Sequence, residues 1–439
     1  MLPMTLKITK GQAYERGFKT GKAGGFFSKS IVDDIESYFA SWKQEFPLSA
    51  HLDYGKEMVK LWKERLNADL DLTKYPECNG LREIVHAEHK GYVDAVGGNE
   101  TAAAYHFNWS YYLRLRLNTR YFGFPDDQKG KPSRYLTTAG AECSAMWFAD
   151  TPDGPAMGKN LDTSPNQIVG KKIPCALPSS GVRNVEHCGG GTACLFCDEE
   201  PEDIFPIKID DILPQDIKRV RDYIPFRYRY RQFCGPGNGI FVDETGDSVA
   251  VEQSNCRMAW RYAENGVSAT TALAYHEPEL KAFKHERDLL SLEKRGWGKA
   301  APDWVYWDGC NRRYDRLMKL VEAERKRPLT VEGMARILLD PEGTPPDRIS
   351  CANEPFHPDV QTNFWTMYTW VAIPFGPKRR TYRWAQSQPP NGPIFSHNPE
   401  LVLDESVENR SEFEAERQRL AQIGKEDAQR KVKHAFPST

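Results

Sequence analysis

The segment AECSAMWFADTPDGPAMGKNLD, residues 141–162, constrains this chain more than any other stretch. It reads as a β-hairpin: one strand leads out from Cys143, Pro152-Asp153-Gly154 makes the turn, and the second strand ends in Gly158-Lys159-Asn160-Leu161-Asp162. The first residue of one antiparallel strand lies near the last of its partner, so Cys143 and Asp162 fall at the same mouth. A thiol with polar company at a strand mouth is a candidate nucleophile, whereas an ordinary lone cysteine is a small core residue.

Around this hairpin the hydrophobic period changes along the chain. In the first hundred residues KTGKAGGFFSKSIVDDIESYFASWKQEF, YGKEMVKLWKERLNADL and LREIVHAEHKGYVDAVGG repeat apolar residues at helical spacing, and Gly97-Gly98 stops the third. A second strand pair is predicted at GIFVDETGDSVAVEQ, turning at Thr245-Gly246-Asp247 with Val249 and Val251 on one face, and a third at FWTMYTWVAIPFGPKRRTYRWAQ. CNRRYDRLMKLVEAERK and TVEGMARILLD read as further helices. Hairpins in place of βαβ units point to an α+β layered fold rather than a doubly wound one. The organisation expected is a mainly helical segment 1–142, a nucleophile-bearing core 143–400 and a charged tail 401–439. A Gly-, acid- and Pro-rich insertion near 188–225 is expected to hold little regular structure.

Composition excludes some function classes. A formal charge of −2 over 439 residues offers no basic face for nucleic acid. No apolar run is long enough for a membrane span, and MLPMTLKITKG lacks a secretory signal, so a cytoplasmic protein is expected. Ten cysteines scattered through a chain this large read as reduced thiols.

Arg313 stands out without reference to any relative. On a helix it shares one face with Leu317, Leu320 and Val321, while Arg312 and Arg316 lie off its centre. A guanidinium on an apolar stripe needs a carboxylate, from the protein or a substrate, or must snorkel to the rim. His187, Cys188, Cys194 and Cys197 have the letters of a metal site, but one Cys-x-x-Cys pair in a Gly-rich stretch is a weak signal, and no metal or cofactor is expected. His86 and His89 lack a zincin motif and read as ordinary polar residues. Trp365, Tyr368 and Trp370 read as core.

Several motifs together resemble the penicillin acyltransferase family of N-terminal-nucleophile hydrolases, relatives of the choloylglycine hydrolases. They are Cys143 at its strand head, Gly158-x-Asn160-x-Asp162, the opening GQAYERGFKTGK, the hairpin FVDETGDSVAVE and the late strand TMYTWVAIP. Cys310-Asn-Arg-Arg313 is similar to the family's Ser-x-x-Arg with cysteine for serine. The resemblance implies a four-layer αββα sandwich, two antiparallel sheets face to face between helical layers. It implies self-cleavage between Glu142 and Cys143, the fragments staying associated. The freed α-amine of Cys143 then serves as base, Asp162 orients it and Arg313 binds charge. The implied activity is acyl transfer or hydrolysis of a small-molecule linear amide or thioester through an acyl-cysteine, with no nucleic acid or membrane partner.

The chain departs from the family at two places. Where the family has Thr-Asn-His, Ala274-Tyr275-His276 stands here, so Tyr275, His276 or Asn238 of Gly-Asn-Gly could supply the oxyanion donor. Glu142 stands where glycine is common, and its carboxylate could assist the cut or its bulk hinder it. An unprocessed, non-catalytic binding scaffold of the same fold is therefore the alternative, and a redox or metal sensor using Cys188, Cys194 and Cys197 a third reading. Self-association is left open.

Overall fold

The computed structural model describes residues 8–22, 53–67, 73–108, 143–163, 185–191, 217–230, 238–253, 258–271, 276, 278, 308–340, 342, 349, 365–376, 380–385 and 400–403. In chain order the elements are α1 (Lys10–Lys22), α2 (Tyr54–Leu66), α3 (Leu81–Ala95), α4 (Glu100–Asn108), β1 (Ser144–Phe148), β2 (Ala156–Thr163) and β3 (Val185–Gly191). They continue with α5 (Val220–Arg229), β4 (Asn238–Asp243), β5 (Ser248–Gln253), β6 (Met258–Tyr262) and β7 (Val267–Thr271). The last are α6 (Asp308–Glu324), α7 (Val331–Leu338), β8 (Trp365–Ile373), β9 (Arg380–Ala385) and β10 (Glu400–Leu403).

The strands form a six-stranded sheet in the order β10-β9-β8-β2-β1-β7 and a four-stranded sheet β3-β4-β5-β6, and every pairing is antiparallel. The three hairpins foreseen in the sequence are β1–β2, β4–β5 and β8–β9. Each turn carries a glycine at positive φ, Gly154, Gly246 and Gly376, where a side chain would strain the backbone.

Strand alternation divides the apolar residues among three clusters. Ala145 and Trp147 of β1, Met157 of β2, Ile240 and Val242 of β4, Ala250 of β5, and Trp370 and Ala372 of β8 bury one another between the two sheets. The intervening Met146, Phe148, Val371 and Ile373 point the other way, onto Leu317 and Val321 of α6 and Met334 and Leu338 of α7. Phe241, Val249 and Val251 turn away from the six-stranded sheet and join Ala13, Met58, Trp62, Leu81, Val85 and Tyr223 of the N-terminal helices and α5. Among the described residues, segment 1–142 has no separate core. Its described helices share one with β4 and β5.

Helices α1 and α3 cross with almost no space between them. A Cβ on Gly17 would lie 1.9 Å from the Glu88 carbonyl oxygen, and one on Gly91 2.0 Å from that of Tyr14. Gly97 and Gly98, both at positive φ, end α3, with the Gly98 N–H donating to Val93 O at 2.9 Å.

Two expectations about the organisation change. The ends of the 188–225 insertion are regular: β3 runs to Gly191, pairing with β4, and α5 begins at Val220. The Gly-rich VEHCGGG hides its strand because its last three residues have no side chains to alternate, and Pro225 inside α5 disguises the helix. Asp243 stabilises that helix start, its Oδ2 accepting the Val220 N–H at 2.8 Å. The 400/401 boundary also cuts β10, whose pairing with β9 makes it the sheet's last strand.

The helical cluster buries neutral histidines. His89 lies 5.4 Å from Trp62 and 5.6 Å from Phe107, and His106 stacks on Tyr92 at 4.5 Å. Burial pushes both imidazoles down to about 4. The unfolded chain therefore binds these protons more readily than the folded one, and stability falls as pH drops from about 6.5 towards 4. Each histidine should cost on the order of 3 kcal/mol across that window. Urea unfolding followed by circular dichroism at pH 7 and pH 4 should show the loss, and His106→Phe should reduce it. Gly17→Ala or Gly91→Ala should destabilise the fold by about 1–3 kcal/mol or more. Gly11→Ala, whose Cβ would meet only Thr9 Oγ1 at 4.0 Å, should leave the thermal midpoint unchanged or slightly raised.

Candidate functional site

Register gathers the candidate residues at one end of the sheets. Cys143 immediately precedes β1, the strand between β2 and β7, and is 1 % exposed with its sulfur outside any disulfide. Ser144 pairs with Asn160 on one side and with Thr271 on the other. Asp162 lies two residues beyond Asn160, at a bulge in the β2–β8 pairing, with its backbone opposite Thr366. From the facing sheet Asn238, 2 % exposed at the start of β4, donates from Nδ2 to the Thr271 carbonyl at 3.3 Å. The hairpin turns at Gly154 and Gly246 lie at the opposite end, where Trp147 Nε1 donates to Gly246 O at 3.3 Å.

The Gly158-x-Asn160-x-Asp162 motif has a packing logic of its own. A Cβ on Gly158 would stand 2.6 Å from Leu338 Cδ1 and 2.7 Å from Met334 Sδ, so glycine lets α7 lie directly on β2. Asn160 is fully buried, and its amide Nδ2 donates to Leu338 O at 2.6 Å and Ile349 O at 2.9 Å, while Oδ1 accepts the Thr369 hydroxyl at 2.6 Å. One side chain thus satisfies the carbonyl at the end of α7, ties it to β8 and holds the strand that carries Asp162.

Arg313 is 2 % exposed on the α6 face that also buries Leu317 and Val321. Helix α6 runs antiparallel to β7, because Arg325 near its C-terminus donates to the Glu264 and Asn265 carbonyls before β7 begins. Its first turns, and Arg313 with them, therefore lie towards the Thr271 end. Arg316, off the apolar face, pairs with Asp340, Nε to Oδ2 at 2.7 Å. Burial raises the proton affinity of that carboxylate, and the arginine offsets only part of the effect.

His276 is held by Glu252 at the end of β5. One carboxylate oxygen of Glu252 accepts the His276 backbone N–H and the other meets its ring Nδ1, each at 2.7 Å. Burial would raise the Glu252 carboxyl, yet the His276 hydrogen bond and the Arg261 charge outweigh it and hold the group below its ordinary range. Tyr275 and Glu142 lie outside the described residues, as do Cys194 and Cys197. His187 and Cys188 are in β3, opposite Phe241 and Ile240. Among the described residues no group of three or more His, Cys, Asp or Glu is placed to hold a metal ion, and no helix is long and apolar enough to cross a membrane.

Sequence reasoning passed over Ser144, Thr271 and Glu252. Ser144 Oγ is buried next in sequence to Cys143 with no hydrogen-bond partner among the described residues. Thr271 ends a short strand with no motif, and only pairing reveals it. Glu252 was legible as the final residue of the Asp243-x-x-Gly246-x-x-x-x-x-Glu252 pattern, but its carboxylate's task depends on His276 and Arg261, remote in sequence. The chain matches no family model and no curated protein.

Asn160→Ala should remove three hydrogen bonds and leave buried carbonyls unsatisfied, lowering stability by about 2–5 kcal/mol in urea unfolding. Thr369→Val, which deletes a single donor, should cost about 1–2 kcal/mol.

Proposed function

We propose that this chain is a self-cleaving, cysteine-dependent acyltransferase or linear amide hydrolase, folded as an αββα sandwich of the N-terminal-nucleophile type. The observation that carries the reading is the position of Cys143. A buried, reduced thiol stands at the head of a strand paired on both sides, at the end of the sheets where Asp162, Asn238, Thr271 and the start of α6 converge. The sandwich is supported by the cluster shared between the two sheets and by the helices on their outer faces.

Cleavage of the Glu142–Cys143 bond frees an α-amine on the residue that carries the thiol. That amine takes the thiol proton, and the thiolate attacks the substrate carbonyl. The amide C–N bond breaks, the leaving nitrogen receives the proton, and water or an amine acceptor resolves the thioester. The Asn238 amide, held on the Thr271 carbonyl, donates to the developing oxyanion. Asp162 orients the new ammonium group, and Arg313 supplies positive charge for an anionic substrate group. The N-terminal fragment stays attached because its helices share a core with β4 and β5. The substrate is a small amide or thioester, and the setting is cytoplasmic, in keeping with cysteines scattered through a chain large enough to build its own core.

Intact mass spectrometry tests the proposal. The wild-type chain should divide between Glu142 and Cys143 and accept a cysteine-directed acylating probe, and Cys143→Ala should give a single mass and no adduct. A wild-type chain that stays whole and unreactive would instead be a non-catalytic scaffold.

A further inference from the structure

Glu252 lies two residues beyond Ala250 on β5 and so shares the face turned to the other sheet, where it is 1 % exposed. A carboxylate taken so far from water needs compensation. Besides the two bonds from His276, Oε1 accepts from Arg261 Nε of β6 at 3.2 Å. Arg261 Nη1 donates onward to the Tyr314 hydroxyl of α6 at 3.0 Å, and the His276 ring meets the Tyr314 ring edge-on at 4.3 Å. The groups facing His276 are thus Glu252 from β5, Arg261 from β6 and Tyr314 from α6.

An ionised carboxylate can only accept, so Nδ1 carries a ring proton, and in the neutral tautomer this fixes, Nε2 is the nitrogen with the lone pair. Nε2 makes no hydrogen bond among the described residues. The register locates the residue that holds this ring. Glu252 falls one step beyond the Gly239–Val251 pair, opposite Asn238, which is bonded to the Thr271 carbonyl, and Thr271 pairs with Ser144 beside the thiol.

We propose that Glu252 is a positioning residue that holds His276 as the proton acceptor for the Cys143 thiol during self-cleavage. The inference rests on the reading of Cys143 as the nucleophile. Before the cut there is no α-amine at Cys143, so the base of the mature enzyme does not yet exist, and a second base is required. The proton passes from Sγ to Nε2, directly or through one water. The thiolate attacks the Glu142 carbonyl carbon. As the C–N bond breaks, the imidazolium returns the proton to the Cys143 nitrogen, leaving a Glu142–Sγ thioester. Water then releases the Glu142 carboxylate and the thiol.

The test follows freshly synthesised chains from a cell-free system, chased at pH 6, 7 and 8 and resolved by gel. His276→Gly should slow the cut roughly a hundred-fold, and added imidazole should restore part of the rate. Glu252→Gln should slow it as well and change its pH dependence. Because that variant removes a buried charge, 15N shifts of the wild-type ring provide an independent reading and should report Nδ1–H. Cutting of His276→Gly at the wild-type rate, a slowing that imidazole does not relieve, or an Nε2–H ring would overturn the inference alone. A wild-type chain that never cuts would overturn the reading of Cys143 and this inference with it.

Discussion

Strand β1 is saturated in every direction, and the rest of the structure depends on that. Its backbone is paired with β2 on one edge and β7 on the other, and all five of its residues are buried. Ala145 and Trp147 fill the space between the sheets, while Met146 and Phe148 fill the space beneath α6 and α7. A strand so enclosed has no freedom to slip, since a one-residue shift would exchange its two faces and leave Trp147 in a cluster shaped for methionine and phenylalanine. Only its ends can carry chemistry. One is closed by the Pro152–Gly154 turn, and the other begins at Cys143.

The polar groups around that open end are arranged as an electrostatic extension of the same enclosure. Asn160 secures β2 to α7, Asn238 bridges from β4 to β7, and Glu252 joins β5 to β6 and to the residue that follows β7 by five positions. Each is buried, and each would be costly without its partners. Their hydrogen bonds therefore fix geometry near the thiol while removing the penalty of their own burial. The cationic groups Arg261 and Arg313 stand on the β6 and α6 side of this end, and the carboxylate of Glu252 lies opposite Asn238 in the facing sheet.

The N-terminal helices contribute from farther away. They cover the outer face of β4 and β5, and α1 approaches α3 closely only because Gly17, Gly21 and Gly91 have no side chains. If the chain is cut before Cys143, this shared apolar surface keeps the pieces together. The buried histidines His89 and His106 make the same cluster sensitive to acid, because burial holds both rings neutral.

Much of the fold was legible because its signals are local. The three hairpins announce themselves by alternation and by glycine turns, α3 by its Gly97-Gly98 stop, and α6 and α7 by apolar spacing that also marks Arg313 for burial. Strand β3 and helix α5 were not legible, since glycines erase alternation in one and Pro225 breaks the pattern of the other. For the site, sequence alone determined which residue types are present and that Cys143 and Asp162 border one hairpin, because turn chemistry and period act over a few residues. The neighbours they meet were decided only by tertiary structure. Pairing of β1 with β7 brings in Thr271, stacking of the sheets brings Asn238, and the partners of Glu252 come from positions nine and 24 residues along the chain. Such contacts are set by which faces must leave water together, and that is a property of the assembled layers rather than of any one segment.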